Sequence, residues 1–262
     1  MSKKNPLLDM FPPKEVEEEG HAGHRMRLKR RFLRYGMASF DPHQVLEMVL
    51  FYVIPKQDTN PLAHRLLKRF GTLAGVFDAT VDELMSVGGI GENAATYIKM
   101  FPAVFRQYEL SRDSREGCFD TLAKVGNHAK KLFIGAAVEQ AYLLMFNNRL
   151  QLIDTWLITD GTVNSVPVLP RAVVEHALDA HASSVVLVHN HPYGNILPSR
   201  DDIELTHVVE AACNVVGIHF LDHLVVAGND FSSILRSQKG YNRNSPMTGK
   251  PDSSFYRNFY KE

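Results

Sequence analysis

"SSVVLVHNHPYGNILPSRDD", Ser183 to Asp202, decides how the second half of the chain is read. "SSVVLVHN" is a continuous apolar run ending in polar residues, as expected of a strand buried on both faces. Residues two apart in an extended strand point to the same side, so His189 and His191 face together and Asn190 faces away. Pro192 and Gly194 end the strand and turn the chain, and "PSRDD" opens a helix. Asp202 falls in the first turn of that helix, where it can swing back toward the strand end. Two imidazoles and one carboxylate suit zinc, and three protein ligands leave a fourth position for water, as in catalytic zinc sites. A metal there lowers the pKa of its bound water to ~7 and makes hydroxide available near neutral pH.

A plainer reading stands beside this one. An H-x-H pair alone is more often chance than a site. Ser199 and Asp202 also fit a capping box, the serine capping the helix and the carboxylate reaching back. Taken alone, those two residues support capping and ligation equally. The combination favours a site, because two histidines end an apolar strand, where each buried imidazole needs a partner. A proton carrier is also required. Glu139 opens the strand "EQAYLLMF", which can lie beside "VVLVHNH" in one sheet, and Ser199 can donate to a developing oxyanion. Asp154 and Glu175 compete with Glu139 for the first role. Asp222 and His223 in "FLDHLVV" either support the site from behind or bond locally within their strand.

Working outward, "EQAYLLMFN" and "LQLIDTWLI" are strands joined by a tight Asn-Arg turn. "PRAVVEHALDAHA" is an amphipathic helix with Pro170 near its start, "SRDDIELTHVVEAACNVVG" is a second helix, and "IHFLDHLVVAG" is another strand or pair of strands. Before them, "SRDSREG" is a polar linker, and from His24 to about Leu110 the pattern is helical. "RMRLKRRFLRYG" stops at a glycine. "DPHQVLEMVLFYVI" has Asp41 as N-cap and Pro42 at the first helical position. "NPLAHRLLKRFG" repeats that logic with Asn60 and Pro61 and closes on Gly71. "TVDELMSVGGIGENAATYIKMFPAVFRQYEL" holds a short helix, a glycine turn and a longer helix. Residues 1–20, with the acidic run Glu15, Glu17, Glu18 and Glu19, read as a flexible arm, and 238–262 as a disordered tail.

Lys+Arg and Asp+Glu both number 29, so no global field draws the chain to nucleic acid or membrane, and such binding needs a local patch. Arg25, Arg27, Lys29, Arg30, Arg31 and Arg34 form the densest basic cluster, on an amphipathic helix; most such runs are solvated helix faces. "VGGIGENAA" resembles a helix–hairpin–helix motif. Gly89 and Gly91 permit the tight hairpin, and the N–H groups of the following helix can hold a phosphate without reading sequence. Glu92 follows the hairpin directly and opposes a phosphate there. A glycine hairpin between packed helices explains the same residues. His21 and His24 read as surface residues. Cys118 and Cys213 lack metal-ligand spacing and read as small hydrophobes of a reducing cytosol. With no membrane-spanning run and no signal-peptide core, a cytoplasmic protein is expected.

The H-x-H pattern followed by ten residues and an aspartate, with a serine three before it, resembles the JAMM (MPN-type) metalloproteases. "GHRMRLKRRFLRYG", "VLFYVIPKQDTNPLAHRLLKRFG", "VGGIGENAA", "DGTVNSVPVLPRAVVEHALDAHASSVVLVHNHP" and "GIHFLDHLVVAG" resemble the bacterial RadC family, over roughly His21 to Leu235. The resemblance implies an α/β (α+β) JAMM/MPN-type domain over 119–237, with a curved mixed sheet and flanking helices. Before it, an all-α helix–hairpin–helix-like domain is expected over 21–115. Zinc is implied on His189, His191 and Asp202, with Glu139 as general acid/base and Ser199 as oxyanion stabiliser. Tyr193 departs from the family, which has a small residue there. The implied function is a zinc-dependent metallopeptidase acting on an amide or isopeptide bond of a peptide or protein substrate. Contact with the DNA backbone is implied through Gly89, Gly91, Arg25, Arg27, Lys29 and Arg30. The ligand set is indifferent to which bond is cut. A DNA-repair-associated nuclease and a non-catalytic DNA-binding protein are therefore the alternatives.

Overall fold

The computed structural model describes residues 21–113, 117–160 and 168–237. The expected arm 1–20 and tail 238–262, and part of the linker, lie outside these residues. Two compact units divide between Pro102 and Ala103, as Met1–Pro102 and Ala103–Glu262.

The first unit is helical: α1 (His21–Tyr35), α2 (Pro42–Leu50), α3 (Asn60–Phe70), α4 (Leu73–Asp78), α5 (Val81–Met85) and the start of α6 (Glu92–Asp113). Gly36 at φ 66° ends α1 in a conformation that costs other residues strain. Asp41 caps α2 with Pro42 behind it, and its N–H donates to Gln44 Oε1 at 3.2 Å. The cap of α3 is Thr59, not Asn60, which is its first helical residue. The Asn60 side-chain amide donates instead to Glu47, a carboxylate only 1% exposed that His24 also meets at 2.7 Å. His24 is therefore no free surface residue; it joins α1 to a buried acid. Leu46, Leu50, Leu66, Leu84 and Ile98 fill the core of this unit.

The second unit contains α7 (Leu122–Leu132), β1 (Gln140–Phe146), β2 (Leu152–Asp160), α8 (Pro170–Asp179), β3 (Ser184–Asn190), α9 (Arg200–Val215), β4 (His219–Ala227), β5 (Asp230–Ser233) and the short α10 (Ile234–Ser237). Its sheet runs β2-β1-β3-β4-β5, antiparallel except for the β3–β4 pair. That parallel pair requires a crossover, which α9 provides. In the β1–β2 hairpin the side chain of Asn147 accepts from the N–H groups of Arg149 and Gln151, and Leu150 takes φ 56°. A left-handed residue ending a short loop lets the hairpin follow the strand twist.

Both faces of the sheet are covered, so β3 is apolar along its whole buried length. Leu144, Phe146, Val186, Val188, Leu224 and Val226 pack with Val125, Ala129 and Leu132 of α7. Leu143, Met145, Val185 and Leu187 pack on the other face with Val173 and Ala177 of α8 and Val209 and Cys213 of α9. The sequence reading passed over α7. Thr121 caps it by accepting the Lys124 N–H. By strand alternation His189 belongs to the face of α8 and α9, at the end of β3.

Asp222 lies wholly inside this unit. Its carboxylate accepts from Ser233 Oγ at 2.7 Å, the His223 N–H at 2.8 Å and Arg236 Nε at 3.1 Å. Burial outweighs these partners and pushes its pKa up to about 6. A carboxyl raised in the folded state contributes stability that is full below its unfolded pKa of 3.8 and is lost as pH rises through about 6. The lead of wild type over Asp222→Asn in urea-unfolding free energy is therefore expected to shrink between pH 4 and pH 7. A lead that grows over that window contradicts the raised pKa.

Candidate metal centre

Strand β3 delivers both histidines. His189 is its penultimate residue, and His191 lies one past its end, held in line by its N–H bond to the Val226 carbonyl at 2.7 Å. The chain then turns tightly. A Cβ on Gly194 would sit 3.1 Å from the His191 Cβ, which explains a glycine there. The Nδ1 of His191 lies 2.8 Å from the Asn195 carbonyl oxygen. A carbonyl only accepts, so Nδ1 carries the proton and Nε2 is left bare. Ser232 Oγ–H in turn donates to the Ile196 carbonyl and pins the loop from β5.

The helix delivers the carboxylate. Ser199 caps α9 by accepting the Asp202 N–H at 3.1 Å. Both the N–H and the hydroxyl of Ser199 donate to Asp202 Oδ2 at 2.7 Å. The capping box thus holds one carboxylate oxygen and turns the other, Oδ1, to His189 Nε2 at 3.3 Å. The cap and the approach to His189 are not rivals here, because the cap aims the carboxylate. Burial alone would raise the Asp202 pKa, but His189, when its ring carries a second proton, and the Ser199 donors prevail and hold it well below the carboxylate range.

The two Nε2 atoms stand 3.1 Å apart, and His191 Nε2 is 3.8 Å from Asp202 Oδ2. A tetrahedron whose corners lie ~2.1 Å from its centre has edges of ~3.4 Å, so these spacings suit a zinc ion. Among the described residues, His189, His191 and Asp202 are the one group of three or more such side chains close enough to share an ion. Lone pairs of like polarity converging at this range repel one another unless a cation lies between them.

Glu139 directly precedes β1 and is exposed. In the β1–β3 ladder Ala141 faces His189, so two residues back along β1 places Glu139 on the face and at the sheet end of the histidines. One side chain secures that approach. Asn190 Oδ1 accepts the Gln140 N–H at 2.6 Å, and its Nδ2 donates to the Val138 carbonyl at 3.1 Å, bracketing Glu139. Asp154 pairs with Met145, four residues further along β1 and ~13 Å away at strand rise. Glu175 is bonded to Arg171 at 2.7 Å on the exposed side of α8. Asp154 is thus far from the histidines, and Glu175 is committed to Arg171. Tyr193, 87% exposed, stands on the loop after His191.

Asp222 and His223 part company. Asp222 bonds away from the site, whereas His223, 1% exposed, places Nε2 at 2.8 Å from His189 Nδ1. Burial, with His189 adding to it, drives the His223 pKa well below that of a free imidazole. Thr206 stands behind His223 and had no part in the sequence reading, nor did Asn190 as a brace.

In the helical unit Gly89 takes φ 97°, and Arg65 reaches across to the Gly88 carbonyl at 3.0 Å, closing the hairpin. Gly91 needs no unusual backbone angle and precedes Glu92, the first residue of α6. The basic residues of α1 differ in use. Arg25 donates to the carbonyls of Pro55, at 2.6 Å, Ile54, at 2.9 Å, and Gln57, so its guanidinium is engaged within the fold. Lys29 lies over the Tyr52 ring, and Arg27 and Arg30 are exposed.

A family model described as the RadC-like JAB domain matches residues 119–241. The UPF0758 protein of Fusobacterium nucleatum is 30% identical over 229 residues, which cover 84% of this chain and 98% of its own. The UPF0758 protein of Ruegeria pomeroyi is 35% identical over 203 residues, 78% of this chain and 91% of its own. No helix among the described residues is long and apolar enough to cross a membrane.

Ser199→Ala removes the cap and one of the two donors to Asp202 Oδ2, leaving only the backbone N–H. It is expected to lower unfolding free energy by ~1 kcal/mol and to weaken zinc binding in chelator competition. Unchanged zinc affinity contradicts the aiming role of the cap.

Proposed function

The chain belongs to the RadC family, and from that premise we propose that it is a metal-dependent hydrolase of JAMM type that cuts an amide or isopeptide bond. The observation that carries this reading is the convergence of two imidazole nitrogens 3.1 Å apart on the carboxylate of Asp202, whose Oδ1 lies 3.3 Å from His189 and whose Oδ2 lies 3.8 Å from His191. His189, His191 and Asp202 would hold zinc, which supplies Lewis acidity and a water acidic enough to ionise near neutral pH. Glu139 accepts the proton lost by the attacking water and returns it to the leaving nitrogen. Ser199 turns its hydroxyl from Asp202 Oδ2 toward the oxyanion. Peptide or protein is the substrate class because the family resemblance favours it; the ligand set itself is indifferent to the bond cut.

Metal analysis of the purified protein is expected to find about one zinc per chain, lost in His191→Ala. A pooled peptide and DNA cleavage screen, with Asp202→Ala as control, is expected to yield cut peptides. Glu139→Gln should keep the metal and lose cleavage by a factor of ~100 or more. Retained cleavage in Glu139→Gln overturns the proton-carrier assignment. Metal-dependent nicking of DNA without peptide cleavage overturns the choice of bond.

The left-handed Gly89 and the α6 N-terminus behind it support a second role for the helical unit, holding a DNA backbone without reading its sequence. Arg27, Lys29 and Arg30 add charge from α1, and Glu92 opposes the phosphate. Duplex affinity is expected to fall steeply with salt and to rise several-fold in Glu92→Gln. Binding that ignores both changes removes DNA from the reading.

A further inference from the structure

Behind His189 a chain of hydrogen bonds runs back to the third ligand. His189 Nδ1 meets His223 Nε2 at 2.8 Å, and His223 Nδ1 meets Thr206 Oγ1 at 2.7 Å. The Thr206 hydroxyl donates to the Asp202 main-chain carbonyl at 2.6 Å. These groups are shielded: Thr206 is 0% and His223 1% exposed.

The direction of the chain follows from counting protons. A carbonyl oxygen has none, so the single hydroxyl proton of Thr206 points to Asp202. The hydroxyl oxygen can then only accept from His223, whose proton sits on Nδ1. An imidazole with its one proton on Nδ1 offers a lone pair at Nε2, which accepts from His189 Nδ1. Nε2 of His189 is thereby left bare, facing His191 Nε2 and Asp202 Oδ1 at 3.1 and 3.3 Å. Reversing a link at His223 or Thr206 would set two protons, or two lone pairs, against each other where water is excluded, which is costly. The bare Nε2 atoms, by contrast, face one another at the partly exposed front, where a cation can stand between them.

We propose that Thr206 and His223 are positioning residues that fix which nitrogen His189 presents to a divalent cation. The inference rests on the metal reading of His189, His191 and Asp202, and it is independent of the bond cleaved. Asp202 acts at both ends of the relay: its carboxylate is a ligand, and its carbonyl sets the tautomer of another. Thr206 lies four residues after Asp202 on α9, a spacing at which a threonine hydroxyl reaches back to a helix carbonyl. His223 enters because β3 and β4 run parallel with Leu187 beside His223, one step from His189 on the same face.

The test measures zinc affinity by chelator competition and reads ring protonation by long-range proton–nitrogen correlation of nitrogen-labelled histidines in the metal-free protein at pH 8. Wild type is expected to carry the His189 proton at Nδ1. Thr206→Val, which keeps the shape and loses the hydroxyl, is expected to show mixed tautomers of His223 and His189 and ~10-fold weaker zinc binding. Thr206→Ser should restore both. His223→Leu should weaken zinc ~10-fold or more, whereas His223→Gln, whose amide can both accept and donate, should recover most of the loss. A His189 ring without a proton at Nδ1 in wild type overturns the proposal, and this reading needs no variant to fold. So does Thr206→Val or His223→Leu with wild-type zinc affinity, provided that His191→Ala has lost it. If His191→Ala also binds zinc normally, the metal reading itself fails, and the relay with it.

Discussion

The carboxylate of Asp202 has to satisfy a helix and face two histidines at once, and the geometry of the second unit follows from that double demand. A helix N-terminus leaves several N–H groups without partners. Ser199 and Asp202 close them reciprocally and, in doing so, leave one carboxylate oxygen uncommitted and aimed at His189. An acidic group in the first turn of a helix is also favoured by the helix dipole. The carboxylate therefore sits where helix chemistry already favours one, with no separate structural device needed to hold it.

The strand side solves a different problem. Imidazoles buried beside an apolar core require partners for both ring nitrogens. His191 finds the Asn195 carbonyl and His189 finds His223 through Nδ1, which turns the two Nε2 atoms toward each other and toward Asp202. A sheet covered on both faces makes this possible, because α9 packs over the end of β3 that carries His189 and the middle of β4 that carries His223. The parallel β3–β4 pairing is what brings His223 alongside, and the antiparallel β1–β3 pairing is what brings Glu139 to the same end.

Much of this was legible in the sequence, and the reasons are local. Alternation on "VVLVHNH" put His189 and His191 on one side, and the serine and aspartate three apart announced the start of α9. Asp41 with Pro42 marked α2 in the same way. What escaped notice depended on partners distant in the chain. Thr206 is an ordinary helix residue until β4 is laid beside β3, and only then is it His223, of the pair Asp222 and His223, that stands behind His189. His24 meets Glu47 across two helices, and that same acid draws the side chain of Asn60 away from capping α3. The helix α7 was overlooked because its lysines and small residues lie between strand-like stretches, where neighbouring β-type composition dominates a short window.

The brace that Asn190 makes across Glu139 joins neutral amides only. Such a link neither titrates across the physiological range nor weakens as ionic strength rises, unlike a contact between charges. The approach of β1 to the histidines is consequently insulated from the electrical state of the site beside it. Acids there gain or lose protons while the backbone that carries Glu139 stays in register with the strand that carries His189.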